Sequence, residues 1–273
     1  LSNPLSTGVS LNYSKRMSSS LREERISVGS DLYIAGGIEY NGSSLYTRGL
    51  NIQNDGDTVY NITGAIVKEA GKSEIRESTN SRGYGLSLAR GTASLNLFKS
   101  SGTTAGANGS RYKGTTEGTY YTNNQDITKG NSHYNNTGDV TVRGVDVRTG
   151  SVSGKSGDLT VESLQDRVSS SGKGYSVGIT SAITRTSQKP VINLSSISAG
   201  MTVSRAEQKV TTNVAEFTAG SGRLEVEKVI QVGSLIDGGL SLESKGYEKQ
   251  DLEDVDKSRT IGFNVTVYPN VSY

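Results

Sequence analysis

One short phrase recurs three times along this chain, at intervals of about 80 to 90 residues. Glu77-Ser78, Glu162-Ser163 and Glu243-Ser244 each close a short alternating apolar run. A basic residue and a glycine beside an aromatic follow each time: Arg82-Gly83-Tyr84, Lys173-Gly174-Tyr175, and Arg259 ahead of Gly262-Phe263. Further alternating stretches come next, Leu86-Ser87-Leu88, Val177-Gly178-Ile179 and Val265-Thr266-Val267. A module used at least three times predicts an array in which each unit buries its apolar face only by stacking on its neighbours. Such an array points to a shaft or a surface before it points to an active site.

Within the modules, apolar triplets of period two are everywhere, among them Leu32-Tyr33-Ile34, Leu50-Asn51-Ile52, Val140-Thr141-Val142 and Leu159-Thr160-Val161. Each has the alternation of a strand with one buried face, and turn residues precede most of them, as in Gly138-Asp139-Val140. Steps of 18 and 19 residues, from Leu32 to Leu50 and from Val140 to Leu159, match one turn of a parallel β-helix. Only 32% of the chain is hydrophobic, which suits a narrow core of stacked aliphatics. The fold expected is therefore all-β, a right-handed parallel β-helix with β-hairpin or loop excursions. Winding the whole chain would give about nine to twelve coils and a rod of roughly 45 to 60 Å. The stretch from Glu-Ser to Gly-aromatic varies in length, however, so hairpins are expected to begin near Glu77, Glu162 and Glu243, with the Gly-aromatic step marking the turn back. The sequence divides into repeat units of roughly 20–98, 137–184 and 191–273. Between the first two lies a polar stretch, 99–136, either an extended excursion or a strand pair with its tyrosines across the rod. Residues 165–190 resemble it.

Several chemistries find no support. The chain has no cysteine, and 29 basic against 27 acidic residues create no field for nucleic acid. No run approaches the 18 apolar residues of a membrane span. A chain that opens at Leu1, with no initiator methionine, is expected to be a piece of a longer protein. His133 is the only histidine and has no supporting nucleophile and acid around it. Asn54-Asp55-Gly56-Asp57 lacks the rest of a calcium loop and reads as a tight turn, while Asp251, Glu253, Asp254 and Asp256 read as a solvated hairpin tip. No catalytic, cofactor or metal residue is assigned, and a non-enzyme is expected. The alternative is a carbohydrate-active β-helix enzyme, since the fold alone does not exclude one. Adhesive contacts are expected from the excursions, at Tyr112, Tyr120, Tyr121 and Tyr134.

Gly138-Asp139-Val140-Thr141-Val142, followed by Val161-Glu162-Ser163 and Gly174-Tyr175-Ser176-Val177-Gly178-Ile179, resembles the haemagglutinin repeats of the filamentous-haemagglutinin family. Asn61-Ile62-Thr63-Gly64-Ala65 is similar to that family's inter-coil phrase. The resemblance implies a β-helical bacterial exoprotein, secreted or held at the cell surface after two-partner secretion through an outer-membrane β-barrel. Residues 1–273 would be an internal segment of its shaft. The family includes adhesins, haemolysins and the stalks of contact-dependent growth inhibition effectors. A receptor or glycan on a host or neighbouring cell is the partner it implies.

Overall fold

The computed structural model describes residues 8–91, 103–186 and 189–269. β1 (Gly8–Arg25) leads into seven strands, β2 (Ser30–Ile34), β3 (Ile38–Gly42), β4 (Leu45–Arg48), β5 (Leu50–Asn54), β6 (Thr58–Ile62), β7 (Ile66–Glu69) and β8 (Lys72–Gly91). Then come β9 (Thr103–Tyr121), β10 (Asn124–Asn135), β11 (Val140–Arg143), β12 (Val145–Lys155), β13 (Leu159–Glu162) and β14 (Leu164–Thr186). β15 (Lys189–Asn213), β16 (Glu216–Val232), β17 (Leu235–Gln250) and β18 (Val255–Val267) complete the order, with no helix among the described residues.

Two sheets organise these strands. The first is wholly parallel and curls into six three-faced coils, as the period-two triplets predict. Coil 1 is β2–β4, coil 2 is β5–β7, coil 3 is β10 and β11, coil 4 is β12 and β13, and coils 5 and 6 are β16 and β17. The registers stack like on like: Leu45, Ile66, Val140, Leu159, Val229 and Tyr247 form one continuous ladder down the third face. At the middle of that ladder Ile66, Val140, Leu159 and Val229 are 1% exposed or less. With one strand spacing of about 4.8 Å per coil, the stack spans about 24 Å from first to last. That is shorter than the rod expected from winding the whole chain, because close to half of it leaves the coils.

The departing chain builds the second sheet, six antiparallel strands in the order β1-β8-β9-β14-β15-β18. All of it emerges at one corner, between the third face of one coil and the first face of the next. β1 enters coil 1 there, β8 leaves coil 2, β9 enters coil 3, β14 leaves coil 4, β15 enters coil 5, and β18 leaves coil 6. Each coil thus carries one strand of the second sheet, alternately incoming and outgoing. Both sheets advance by one strand spacing per coil, so they stay in step. The outgoing strands begin at Lys72, Leu164 and Val255, 92 and 91 residues apart, and this is the true repeat.

Where a coil passes straight to the next, the same corner is closed by Gly49, Gly144 or Gly233, with φ of 64°, 63° and 53°. L-residues avoid that region. The outgoing segment of the following coil also lies on each glycine: an added Cβ would sit 3.3 Å from Gly71 Cα at Gly49, 3.0 Å from Leu164 Cδ1 at Gly144 and 2.6 Å from Leu252 at Gly233.

Several expectations are corrected here. The Glu-Ser phrase marks no common point: Glu77 pairs with Thr116 inside a hairpin, Glu162 ends a third face, and Glu243 pairs with Glu225 inside coil 6. The Gly-aromatic step does not turn the chain; Tyr84, Tyr175 and Phe263 lie within long strands. Units bounded at 20–98, 137–184 and 191–273 therefore give way to units running from one outgoing strand to the next. The polar stretch 99–136 is two different things. Residues 99–102 lie outside the described residues, Thr103–Tyr121 is the returning hairpin strand, and Asn124–Asn135 is the body of coil 3.

Candidate functional site

The antiparallel sheet projects from the coils as a two-faced surface. Directly paired residues share a face, so the registers can be read across all six strands. On one face a row reads Ser14, Gly85, Asn108, Gly178, Ser198, Thr266. The row beside it on the other face reads Tyr13, Leu86, Ala107, Ile179, Ile197, Val267. Small polar residues thus cover one side and aliphatics the other. Of the large apolar side chains exposed on this sheet, all but Tyr112 and Tyr120 lie on the aliphatic side.

The aliphatic side also grades along the strands. Its distal rows are mostly apolar, with Lys15 and Arg90 among them. Toward the coils comes a row of Met17, Arg82, Arg111, Tyr175, Met201 and Phe263, and then Lys113 and Lys173 are paired, as are Arg205 and Arg259. These cations are exposed, and no acidic partner binds Arg111, Lys113, Lys173, Arg205 or Arg259 among the described residues. A shallow groove of about 430 Å³ runs over Arg111, Lys113, Lys173, Tyr175 and Arg205. Closer to the coils the charges alternate, with Arg76 3.4 Å from Glu117 and Lys209 3.0 Å from Glu207.

The four tyrosines expected to make adhesive contacts separate. Tyr112 and Tyr120 stand on the small polar face at 41% and 38% exposure. Each ring lies over glycine: Tyr112 covers the paired Gly114 and Gly172, and Tyr120 covers Gly118. Half of each phenol therefore shields backbone that has no side chain of its own. Tyr121 sits half-buried at the hairpin base, its N–H donating to Asp166 Oδ1 at 2.8 Å. Tyr134 is 1% exposed and belongs to the core. Its ring stacks on Tyr60 at 4.6 Å, and Tyr60 stacks on Tyr40 at 5.3 Å.

Beneath that stack lies a polar cluster. Lys68 on the third face of coil 2 is ion-paired across the interior with Asp126 on the first face of coil 3, and both are almost wholly buried. Lys68 Nζ also donates to Tyr60 Oη at 2.7 Å. Burial alone would lower the Lys68 pKa, but the Asp126 charge and the tyrosines outweigh it and hold the ammonium above its ordinary value. Burial, then the Asp126 charge, raises the Tyr60 phenol well above its own.

The other candidate groups are structural. His133 Nδ1 lies 2.9 Å from Ser153 Oγ on the next coil. Asn54 is buried and closes its turn, donating to Asp57 O and Thr58 Oγ1 at 2.9 Å and accepting from Gly56 N. Asp55 is held by Lys129 at 2.8 Å and by Tyr33, and Asp57 Oδ1 accepts from Asn131 N at 2.7 Å. The acidic cluster is not a hairpin tip: residues 251–254 join coil 6 to the outgoing strand, and Asp254 Oδ1 accepts from Thr211 N at 2.8 Å. No group of three or more His, Asp or Glu among the described residues could hold a metal ion.

A family model described as "Hemagglutinin repeat" matches residues 5–179. The chain belongs to the haemagglutinin-repeat family. No curated protein and no solved structure matches it. Haemagglutinin repeats are structural and adhesive, β-helical, and typical of secreted or surface-exposed proteins. The match ends inside β14, yet the same architecture continues beyond it through coils 5 and 6. In this haemagglutinin-repeat chain the two-faced sheet was partly visible in Leu86-Ser87-Leu88 and Val177-Gly178-Ile179, which alternate as the faces do. The Lys68–Asp126 pair was not, because each charge occupies an inward position that alternation reserves for an aliphatic.

Proposed function

We propose that this chain is a shaft segment of a haemagglutinin-type adhesin, internal to a longer exoprotein that leaves the cell by two-partner secretion through an outer-membrane β-barrel. The observation that carries the reading is the matched advance of coil and sheet. An array in which every coil supplies one sheet strand extends without limit and repeats one surface along its length. Attachment is assigned to the sheet, since the coils offer a repetitive surface of short ladders. Arg111, Lys113, Lys173 and Arg205 line its basic groove, and exposed guanidinium and ammonium groups recognise acidic glycans on a host or neighbouring cell. Tyr112 and Tyr120 are contacts of the opposite face, where their exposed ring edges suit sugar stacking. A growth-inhibition stalk or a haemolysin would share this shaft and differ in the domains its parent protein carries.

The test is attachment of the purified chain to cultured cells and to immobilised sulfated and neutral glycans. Lys113→Glu with Lys173→Glu is expected to lower binding to cells and to sulfated glycans at least tenfold while the thermal transition stays within a few degrees. Undiminished binding would remove the groove from the contact. Turnover of a polysaccharide panel would replace the adhesin reading with an enzymatic one.

A further inference from the structure

Among the described residues nothing covers the aliphatic side of the antiparallel sheet. Leu86, Ile179 and Val265, on three different strands, are 59%, 51% and 55% exposed. The apolar rows run over about five strand spacings and nine residues of strand, roughly 24 by 27 Å or about 650 Å². A soluble monomer rarely shows a continuous apolar patch beyond a few hundred Å².

We infer that this face packs against the same face of a second copy of the chain, forming a parallel two-ply shaft. Area is the first argument. Two such faces together bury roughly 1,300 Å², at the lower end of the range of about 1,200 to 2,000 Å² typical of stable interfaces. Sheet shape is the second, since two apolar sheet faces stack about 10 Å apart with side chains interdigitated. The third is what a lipid surface would require. Among the described residues β1 pairs with β8 and β18 with β15, so in this chain both sheet edges present N–H and C=O groups that no other described strand takes up. Water satisfies such groups and hydrocarbon does not. A second copy covers the aliphatic face and leaves both edges wet.

The charge gradient fixes the orientation. If the hairpin ends of both copies pointed the same way, Lys113 of each copy would face Lys173 of the other. Turning one copy about the row Tyr13, Leu86, Ala107, Ile179, Ile197, Val267 avoids this: apolar rows overlap, Arg205 and Arg259, eight residues from the axis, lie beyond the overlap, and Lys113 and Lys173, six residues from it, lie at its rim, with Arg82 and Arg111 just inside. The two solenoids then sit at opposite ends of the sandwich. That axis follows the stack of strands, so both solenoids advance in the same direction and every added unit extends the interface equally.

Sedimentation velocity from about 1 to 50 μM is the first measurement, and a dimer is expected in that range. Ile179→Glu with Leu86→Glu, both on the axis row, is expected to weaken self-association by about 100-fold or more, because each copy buries both new charges. Ser176→Glu, on the opposite face, should leave the dimer intact. The chain has no cysteine, so a single one reports cleanly. Ala107→Cys on the axis should form a disulfide-linked dimer under mild oxidation and Ser110→Cys should not, a readout that stands even if the glutamates impair folding. A wild-type monomer at 50 μM, equal cross-linking at both positions, or a dimer indifferent to the glutamates would overturn the inference. So would flotation with anionic vesicles by a chain that stays monomeric in solution, which would assign the face to lipid.

Discussion

Lys68 and Asp126 show what a single inward position can do in a stacked core. On the first face the ladder reads Leu32, Ile52, Asp126, Val147, Phe217, Ile236, so one carboxylate interrupts five apolar residues. Its counter-ion comes from the coil before the first hairpin, and the pair bridges the 50 residues of insertion between Gly71 and Thr122. Lys68→Met would strand a buried carboxylate and is expected to cost about 3 to 5 kcal/mol, with Lys68→Met/Asp126→Leu recovering most of it. Urea unfolding of both variants checks this; additive losses would mean that the pair is not coupled. Asp146 is the opposite case. Burial, then the Glu216 charge beside it, raises its pKa above 3.8 in the folded chain. A raised carboxyl favours the protonated folded state, so stability falls as pH climbs from 3.8 through the folded pKa. Asp146→Asn should therefore be the more stable protein at pH 7, and the difference should vanish below pH 3.8, as thermal melts across that range would show. Neither residue was legible as special in the sequence. Alternation reports which positions point inward, and a charge there looks like a break in the pattern until its partner is placed in space. For the same reason Tyr134 read as surface: Gly, Thr and Asn surround it, and only the stack on Tyr60 reveals the buried side.

At the scale of elements, the corner glycines and the hairpins are alternative ways of closing one turn. Gly144→Ala would force a Cβ into positive φ and against Leu164, and is expected to cost about 1 to 2 kcal/mol, more than alanine at Gly178, whose added Cβ meets the mobile Ser198 hydroxyl first. Denaturant midpoints of the two variants decide it. The hairpins themselves divide into a part that supports the coils and a part that does not. Replacing residues 85–108 by a short Gly-Ser link keeps every coil strand and should leave a cooperative β transition. Replacing 105–131 removes Asp126 and the first face of coil 3, and should abolish it. Circular dichroism melts of the two deletions provide the comparison, and similar transitions would mean that coil 3 is dispensable. Short triplets and coil-length steps made the coils readable from the sequence. The hairpins were legible as alternating stretches but not as one sheet, since their pairing joins residues of different units, such as Tyr175 with Arg111 and Phe263 with Met201.

Across the whole molecule the governing fact is that two sheets of different kinds share one repeat. Parallel coils rise by a strand spacing per turn, and an antiparallel sheet grows by a strand spacing per strand, so one strand per coil is the arrangement that keeps both closed-packed. A hairpin after every coil would crowd two strands into each level, and a hairpin after every third would leave gaps. Removing residues 72–163 deletes one hairpin with coils 3 and 4 and preserves the match; removing 145–163 deletes coil 4 alone and places β9 and β14 on the same level. The decisive measurement is the thermal transition of these two deletions followed by far-ultraviolet circular dichroism. The larger deletion is expected to melt as a single cooperative β transition, and the smaller to lose cooperativity. A cooperative melt from the 19-residue deletion together with an unfolded 92-residue deletion would contradict the shared repeat.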